Sequence, residues 1–152
     1  MIDESIIFNQ SKFYEKNIKF FSINLKKFLK KKKINSKNIN VLDYGCGNCL
    51  LHKYLRFRKI FLFDLDPKYY EYLILTKTTK FKNFNEIIKS KNKFNLILIN
   101  SVIQYIDPNK LEKILTHLYR KLNNNGIIII SDIPTKTRFL EIFSSLNLIF
   151  FL

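Results

Sequence analysis

From residue 39 onward, short apolar runs alternate with helical patterns, and this alternation restricts the chain to one class of fold. Residues 39–43 read as a strand, followed by the glycine turn 44–48 and a helix over 49–56. A second strand over 59–63 ends in Asp64-Leu65-Asp66-Pro67, and a helix continues to residue 76. Residues 80–83 are a weak third strand, with a short helix over 86–89. The apolar run Phe94 to Ile99 has the character of a strand covered on both faces. A helix from Pro108 to residue 122, the turn Asn123-Asn124-Asn125-Gly126 and a fifth strand over 127–131 come next. The chain closes with a helix over 136–145 and an apolar run from Leu148 to Leu152. Strands separated by helices require right-handed crossovers. The expected fold is α/β: a doubly wound, mostly parallel sheet with helices on both faces. Ligands of such sheets bind beyond the carboxyl ends of the strands, near the point where the strand order reverses.

Ahead of this core, Phe13, Phe20, Phe21, Leu25, Phe28 and Leu29 recur at near-helical spacing and predict a helix over 10–31. The 152 residues suit one domain. Its expected parts are an N-terminal helical segment (1–38), a cofactor-binding core (39–134) and a short C-terminal helix and strand (135–152).

Strand ends are therefore the places to look for chemistry. Val41-Leu42-Asp43-Tyr44-Gly45-Cys46-Gly47 puts an acid and two glycines between a strand and a helix. Glycine admits positive φ and lets a ligand approach bare backbone, and a helix start offers free N–H groups. Asp64 stands at the end of the next strand, where a carboxylate can accept hydrogen bonds from a ribose diol. A dinucleotide loop would carry a third glycine at the position of Leu50, so that fingerprint fails. S-adenosyl-L-methionine, which has no phosphate, is the remaining cofactor reading.

These residues resemble the class I S-adenosylmethionine-dependent methyltransferases over about residues 39–134. The segment 41–47 is similar to their glycine-loop motif, and Phe63-Asp64-Leu65-Asp66-Pro67 to their second-strand motif. The segment Phe94 to Ile106 is similar to their fourth strand, and Leu122 to Asp132 to their turn and fifth strand. The resemblance implies that Asp43, Gly45, Cys46 and Gly47 line the methionine part of the cofactor. It implies that Asp64 holds the ribose hydroxyls and Leu65 lies against the adenine. Asn83 falls where the family reads the adenine amino group, with Phe84 beside it, and Asn100 and Ser101 stand near the methyl group. The family sheet ends in an antiparallel hairpin. Only one apolar run follows the fifth strand here, so the hairpin is expected to be incomplete, through truncation or an altered sheet edge.

Methyl transfer to a small-molecule acceptor is the expected activity. The fourth strand leads into Asn100-Ser101-Val102-Ile103 rather than the Asn-Pro-Pro-Tyr signature of nucleic-acid amino methylation. No catalytic base stands out, although Asp132 and Tyr105 are candidates. Two alternatives are an RNA methyltransferase using a basic surface and a truncated, non-catalytic methyltransferase-like protein. The net charge of +15 favours the first alternative only weakly, because Lys, Ile and Asn, the most abundant types, all have AT-rich codons. Lys30-Lys31-Lys32-Lys33 reads first as a solvated helix end.

Cys46-Gly47-Asn48-Cys49 has the C-x-x-C spacing of a redox pair, a minor reading beside the glycine loop. Two cysteines and two distant histidines give no metal-ligand set, and His117 reads as a surface or boundary residue. No apolar run approaches the roughly 18 residues needed to span a bilayer, and acids precede the first apolar run. A cytoplasmic protein of undetermined oligomeric state is the expectation.

Overall fold

Which sheet face a strand residue meets is set by the two-residue period, and this chain uses both faces. The computed structural model describes residues 4–66, 78–132 and 149–151. It opens with α1 (Glu4–Lys31) and a 3-10 turn at Ser36–Asn38. The core then runs β1 (Asn40–Tyr44), α2 (Leu51–Tyr54), β2 (Lys59–Phe63), β3 (Thr78–Phe81), α3 (Phe84–Lys89) and β4 (Phe94–Asn100). A 3-10 turn at Ile103–Tyr105, α4 (Pro108–Tyr119), β5 (Leu122–Ser131) and β6 (Ile149–Phe151) complete it.

The strands form one sheet in the order β3-β2-β1-β4-β5-β6. Every pairing is parallel. The order reverses between β1 and β4, so their carboxyl ends flank the expected ligand crevice. On one face Leu42, Phe61, Phe63, Ile97, Ile99, Ile128 and Ile130 meet Ile87 of α3 and Leu111, Leu115 and Leu118 of α4. On the other, Val41, Leu62, Leu96, Leu98 and Ile129 meet Ile18, Leu25 and Leu29 of α1 and Leu51 beside them. Each such side chain contributes about 1.5–3 kcal/mol when fully buried. Phe61 anchors the first layer, 5.1 Å edge-to-face from Phe94 and 5.9 Å from a stacked Phe81.

The doubly wound α/β expectation holds, and the helix over 10–31 and the second strand over 59–63 are present. Several boundaries differ for local reasons. The helix expected over 49–56 shrinks to α2, because Cys49 has φ +56° and cannot belong to a right-handed helix, and Leu55 is already extended. The third strand lies over 78–81 rather than 80–83. Its register places Phe81 beside Phe63, while Asn83 is drawn into capping α3. That cap is reciprocal: Asn83 Oδ1 accepts from Glu86 N at 3.0 Å, and Glu86 Oε2 accepts from Lys82 N at 2.8 Å. Asp107 caps α4 ahead of Pro108.

The turn expected at 123–126 lies inside β5 as an excursion. Phe94 pairs with Leu122 and Leu96 with Ile127, so four residues stand opposite Asn95. Gly126 lets this loop close, since a Cβ there would lie 2.9 Å from the carbonyl oxygen of Phe94. The terminal apolar run supplies β6, which runs parallel to β5, with Ile129 beside Ile149. The helices expected between residues 67 and 76 and over 136–145 lie outside the described residues. Among the described residues no helix is long and apolar enough to cross a membrane.

Candidate active site

The glycine loop leaves β1 and is tied at once to β2. Gly45 N and Cys46 N both donate to the carbonyl oxygen of Phe63, at 2.7 and 3.0 Å. Gly45 and Gly47 have φ of +77° and +49°. A Cβ on Gly45 would lie 2.2 Å from Val102 Cγ2, whereas one on Gly47 would meet nothing within 4 Å. The first glycine therefore allows β1 and the segment after β4 to pack, and the second faces open space.

That space is a cavity of about 510 Å³. Tyr44, Gly45, Gly47, Phe63, Asp64, Leu65, Asn100, Ser101, Val102 and Tyr105 are among its walls, with Tyr14 reaching in from α1. The carboxylate of Asp64 spans the rim: Oδ2 accepts from Gly47 N at 2.7 Å and Oδ1 from Asp66 N at 3.0 Å. Leu65 is 82% exposed, a large apolar side chain presented to the opening. Burial pushes the Tyr44 phenol up to about 12, so it remains a neutral hydroxyl.

A second cavity of about 310 Å³ adjoins the first and shares Tyr14, Asn100 and Ser101 with it. Asn17, Phe20, Phe21 and Asn24 of α1, together with Ser131 and Asp132, complete its lining. Between the cavities the polar groups form a directed chain. Ser131 Oγ donates to Asn100 Oδ1 at 2.7 Å, Asn100 Nδ2 donates to Ser101 Oγ at 3.2 Å, and Ser101 Oγ donates to Asp132 Oδ2. Ser101 and Asp132 have φ of +57° and +55°, a left-handed backbone costing about 1–2 kcal/mol at a non-glycine residue.

Of the residues expected at the cofactor, Gly45, Gly47, Asp64, Leu65, Asn100 and Ser101 thus come together around one cavity. The other four are not among the residues that line it. Asp43 is buried beneath the loop and paired with His52 Nε2 at 2.8 Å. Cys46 turns into the apolar layer under α1, where its hydrogen bond with Cys49, then burial, push the thiol pKa up. That is the reverse of the lowered pKa a reactive C-x-x-C thiol requires. The Oδ1 of Asn83 accepts from Glu86 N as the cap of α3. Phe84 packs edge-on against Tyr44 at 5.9 Å and so supports the wall from behind. The amides of Cys49, Leu50, His52 and Lys53, expected to be free at a helix start, donate to Cys46 O, Asn48 Oδ1, Cys49 O and Leu50 O.

Tyr14 and His52 were not marked by the sequence pattern. Both lie on helices whose inward faces depend on how those helices dock. The Tyr14 phenol pKa is raised, first by desolvation and then by the nearby carboxylates of Asp43 and Asp132. His117, on α4, is half-buried with its ring 6.1 Å from that of Phe84.

A parallel sheet with its glycine loop and acid-bearing second strand at the point of reversal is the arrangement of a Rossmann-like methyltransferase domain. The chain belongs to the methyltransferase-domain family, whose model matches residues 10–144. Solved structures share the fold. Streptomyces venezuelae DesVI aligns with a TM-score of 0.62 and 13% identity over 86% of this chain and 57% of its own. An S-adenosylmethionine-dependent methyltransferase from Clostridium acetobutylicum gives 0.56 and 20% identity, over 72% of this chain and 48% of its own. The N-methyltransferase NodS from Bradyrhizobium japonicum gives 0.54 and 14%, over 79% and 66%. The chain therefore spans about half to two thirds of the length of these structures. No curated protein sequence matches it.

Proposed function

We propose that the chain binds S-adenosylmethionine in the larger cavity and transfers its methyl group to a small-molecule acceptor. One observation carries this reading: the glycine loop and Asp64 meet at the cavity rim, with Gly47 N 2.7 Å from Asp64 Oδ2. An ionised carboxylate there can accept two hydroxyl hydrogen bonds from a ribose diol. Leu65 offers an apolar surface to the adenine, and the open backbone at Gly47 accommodates the methionine portion. Asn100 and Ser101 stand where the two cavities meet, the position for the transferred methyl. The volume of about 510 Å³ is within the range of roughly 300–1,000 Å³ common for small-molecule sites.

The cofactor, when bound, supplies a methyl group already activated on a sulfonium. What the protein adds is alignment and exclusion of water. With the cofactor bound, the acceptor's lone pair would take the methyl carbon, the carbon–sulfur electron pair would remain with the departing thioether, and the acceptor atom would shed its proton. Asp132, at the end of the hydrogen-bonded chain, is the residue placed to receive it.

Calorimetry with S-adenosylmethionine on wild type and Asp64→Ala tests the assignment. The expected result is binding by the wild type, weakened at least about tenfold in the variant. A folded wild type that does not bind would end the methyltransferase reading. Equal binding by the variant would remove Asp64 from the site.

A further inference from the structure

The charge around the two cavities opposes that of the whole chain. Of 27 Lys and Arg residues, none is among the described residues lining either cavity, whereas Asp64, Asp66 and Asp132 are. A phosphate- or carboxylate-bearing acceptor would find no counter-charge among the described residues of these walls. A cation in the smaller cavity would find the Asp132 carboxylate. We infer that the smaller cavity is the acceptor site, and that it takes a compact aromatic molecule carrying a protonated amine. This rests on the methyl-transfer reading and adds to it the class of acceptor.

Geometry assigns the amine's partner. Each of the three hydrogen bonds in the chain Ser131–Asn100–Ser101–Asp132 is donated toward Asp132, which makes its carboxylate the final acceptor. Ser101 occupies Oδ2, and among the described residues nothing donates to Oδ1. That oxygen is available to an ammonium group beside Asn100 and Ser101, the residues shared with the cofactor cavity. The left-handed backbone at both Ser101 and Asp132 is maintained against its conformational cost, as strain at ligand-binding positions commonly is.

The remainder of the cavity suits a ring. Phe20 and Phe21 of α1 line it with Tyr14, and Phe20 is 67% exposed, so its face is free to stack. Aromatic faces also attract cations. The Tyr14 phenol lies in the same field: burial first, then Asp43 and Asp132, raise its pKa. Asn17 and Asn24 supply uncharged donors and acceptors for the acceptor's other polar groups.

Calorimetry on the full chain saturated with S-adenosylhomocysteine tests this, with 2-phenylethylamine as probe against 2-phenylethanol and phenyl phosphate. The amine is expected to bind about tenfold or more tighter than the alcohol, and phenyl phosphate more weakly than either. Asp132→Asn should bring the amine down to the alcohol's affinity and leave S-adenosylhomocysteine binding within about twofold, because asparagine tolerates the left-handed backbone. Phe20→Ala, at an exposed position, should weaken amine and alcohol together. Equal affinities for amine and alcohol, preference for the phosphate, no amine binding, or an amine affinity indifferent to Asp132→Asn would overturn the inference. If S-adenosylhomocysteine binds while the amine preference fails, only the acceptor class falls. If S-adenosylhomocysteine does not bind the folded chain, the methyl-transfer reading falls and the acceptor class with it.

Discussion

Asp64 Oδ2 accepts the Gly47 N–H at 2.7 Å, joining the end of the second strand to the loop that follows the first. One carboxylate thus shapes the loop and faces the cavity. Asp64→Asn retains an acceptor for Gly47 N but loses the charge, so S-adenosylhomocysteine affinity should fall about tenfold with little change in Tm. Asp64→Ala also releases the loop and should bind more weakly still. Calorimetry on both variants checks the order; equal affinities would mean that the loop contact contributes nothing to binding.

The two loop glycines should separate stability from binding. Gly45→Ala drives a methyl into Val102 and should cost about 2–4 kcal/mol, measured by urea unfolding. Val102→Ala removes the γ carbons involved, and the pair should recover about 1 kcal/mol relative to the sum of the single changes. Gly47→Ala meets open space, so its stability cost should stay near about 1–2 kcal/mol while cofactor affinity falls more steeply.

Beneath the loop, Asp43 and His52 form a pair whose side chains are 6% and 1% exposed. Removing one partner strands the other in a dry site. His52→Ala should therefore destabilise the fold by about 3–5 kcal/mol. A loss below about 1 kcal/mol in urea titrations would show that the pair is dispensable to the loop's foundation.

Glu15 fastens α1 to the core from the surface, accepting from Tyr54 Oη at 2.6 Å and Lys53 Nζ at 2.9 Å. These hydrogen bonds, Tyr54 first and then Lys53, hold its carboxyl pKa below the ordinary value. The folded pKa is depressed, so the stabilisation is fully present above the unfolded carboxylate value and is lost as pH falls through the folded one. Wild type should melt above Glu15→Gln near neutral pH, and the gap should close in acid. A gap that persists below the folded pKa would contradict the contact.

Cys46 and Cys49 are buried, and the Cys46 thiol is pushed toward its neutral form. Neither should react with a thiol reagent at pH 7.5 until the chain unfolds. Rapid reaction of the native protein would reopen a redox role for the pair.

The legible parts of this molecule were those governed by neighbours in sequence. The run Lys59 to Phe63 reads as a strand because four consecutive buried side chains are enclosed by charged ends. The loop residues and Asp64 read as a site because the strand ends that carry them follow from the crossover pattern. Local detail failed where a side chain competed with the backbone pattern: Asn83 became a cap, and the left-handed Cys49 delayed α2. Contributions made across the fold left no local trace. Tyr14 reaches the cavity only because α1 lies against the sheet face opposite α3 and α4, and nothing around His52 announces Asp43, nine residues earlier, as its partner.

The excursion of β5 gives the molecule a handle. Asn124 and Asn125 stand exposed at the amino end of that strand, whereas both cavities open at the carboxyl ends of the strands. A dye or surface tether attached at Asn124 would leave ligand entry clear. Because the excursion interrupts the β4–β5 register, fluorescence from that position would follow separation of the central strands and report unfolding without touching the chemistry.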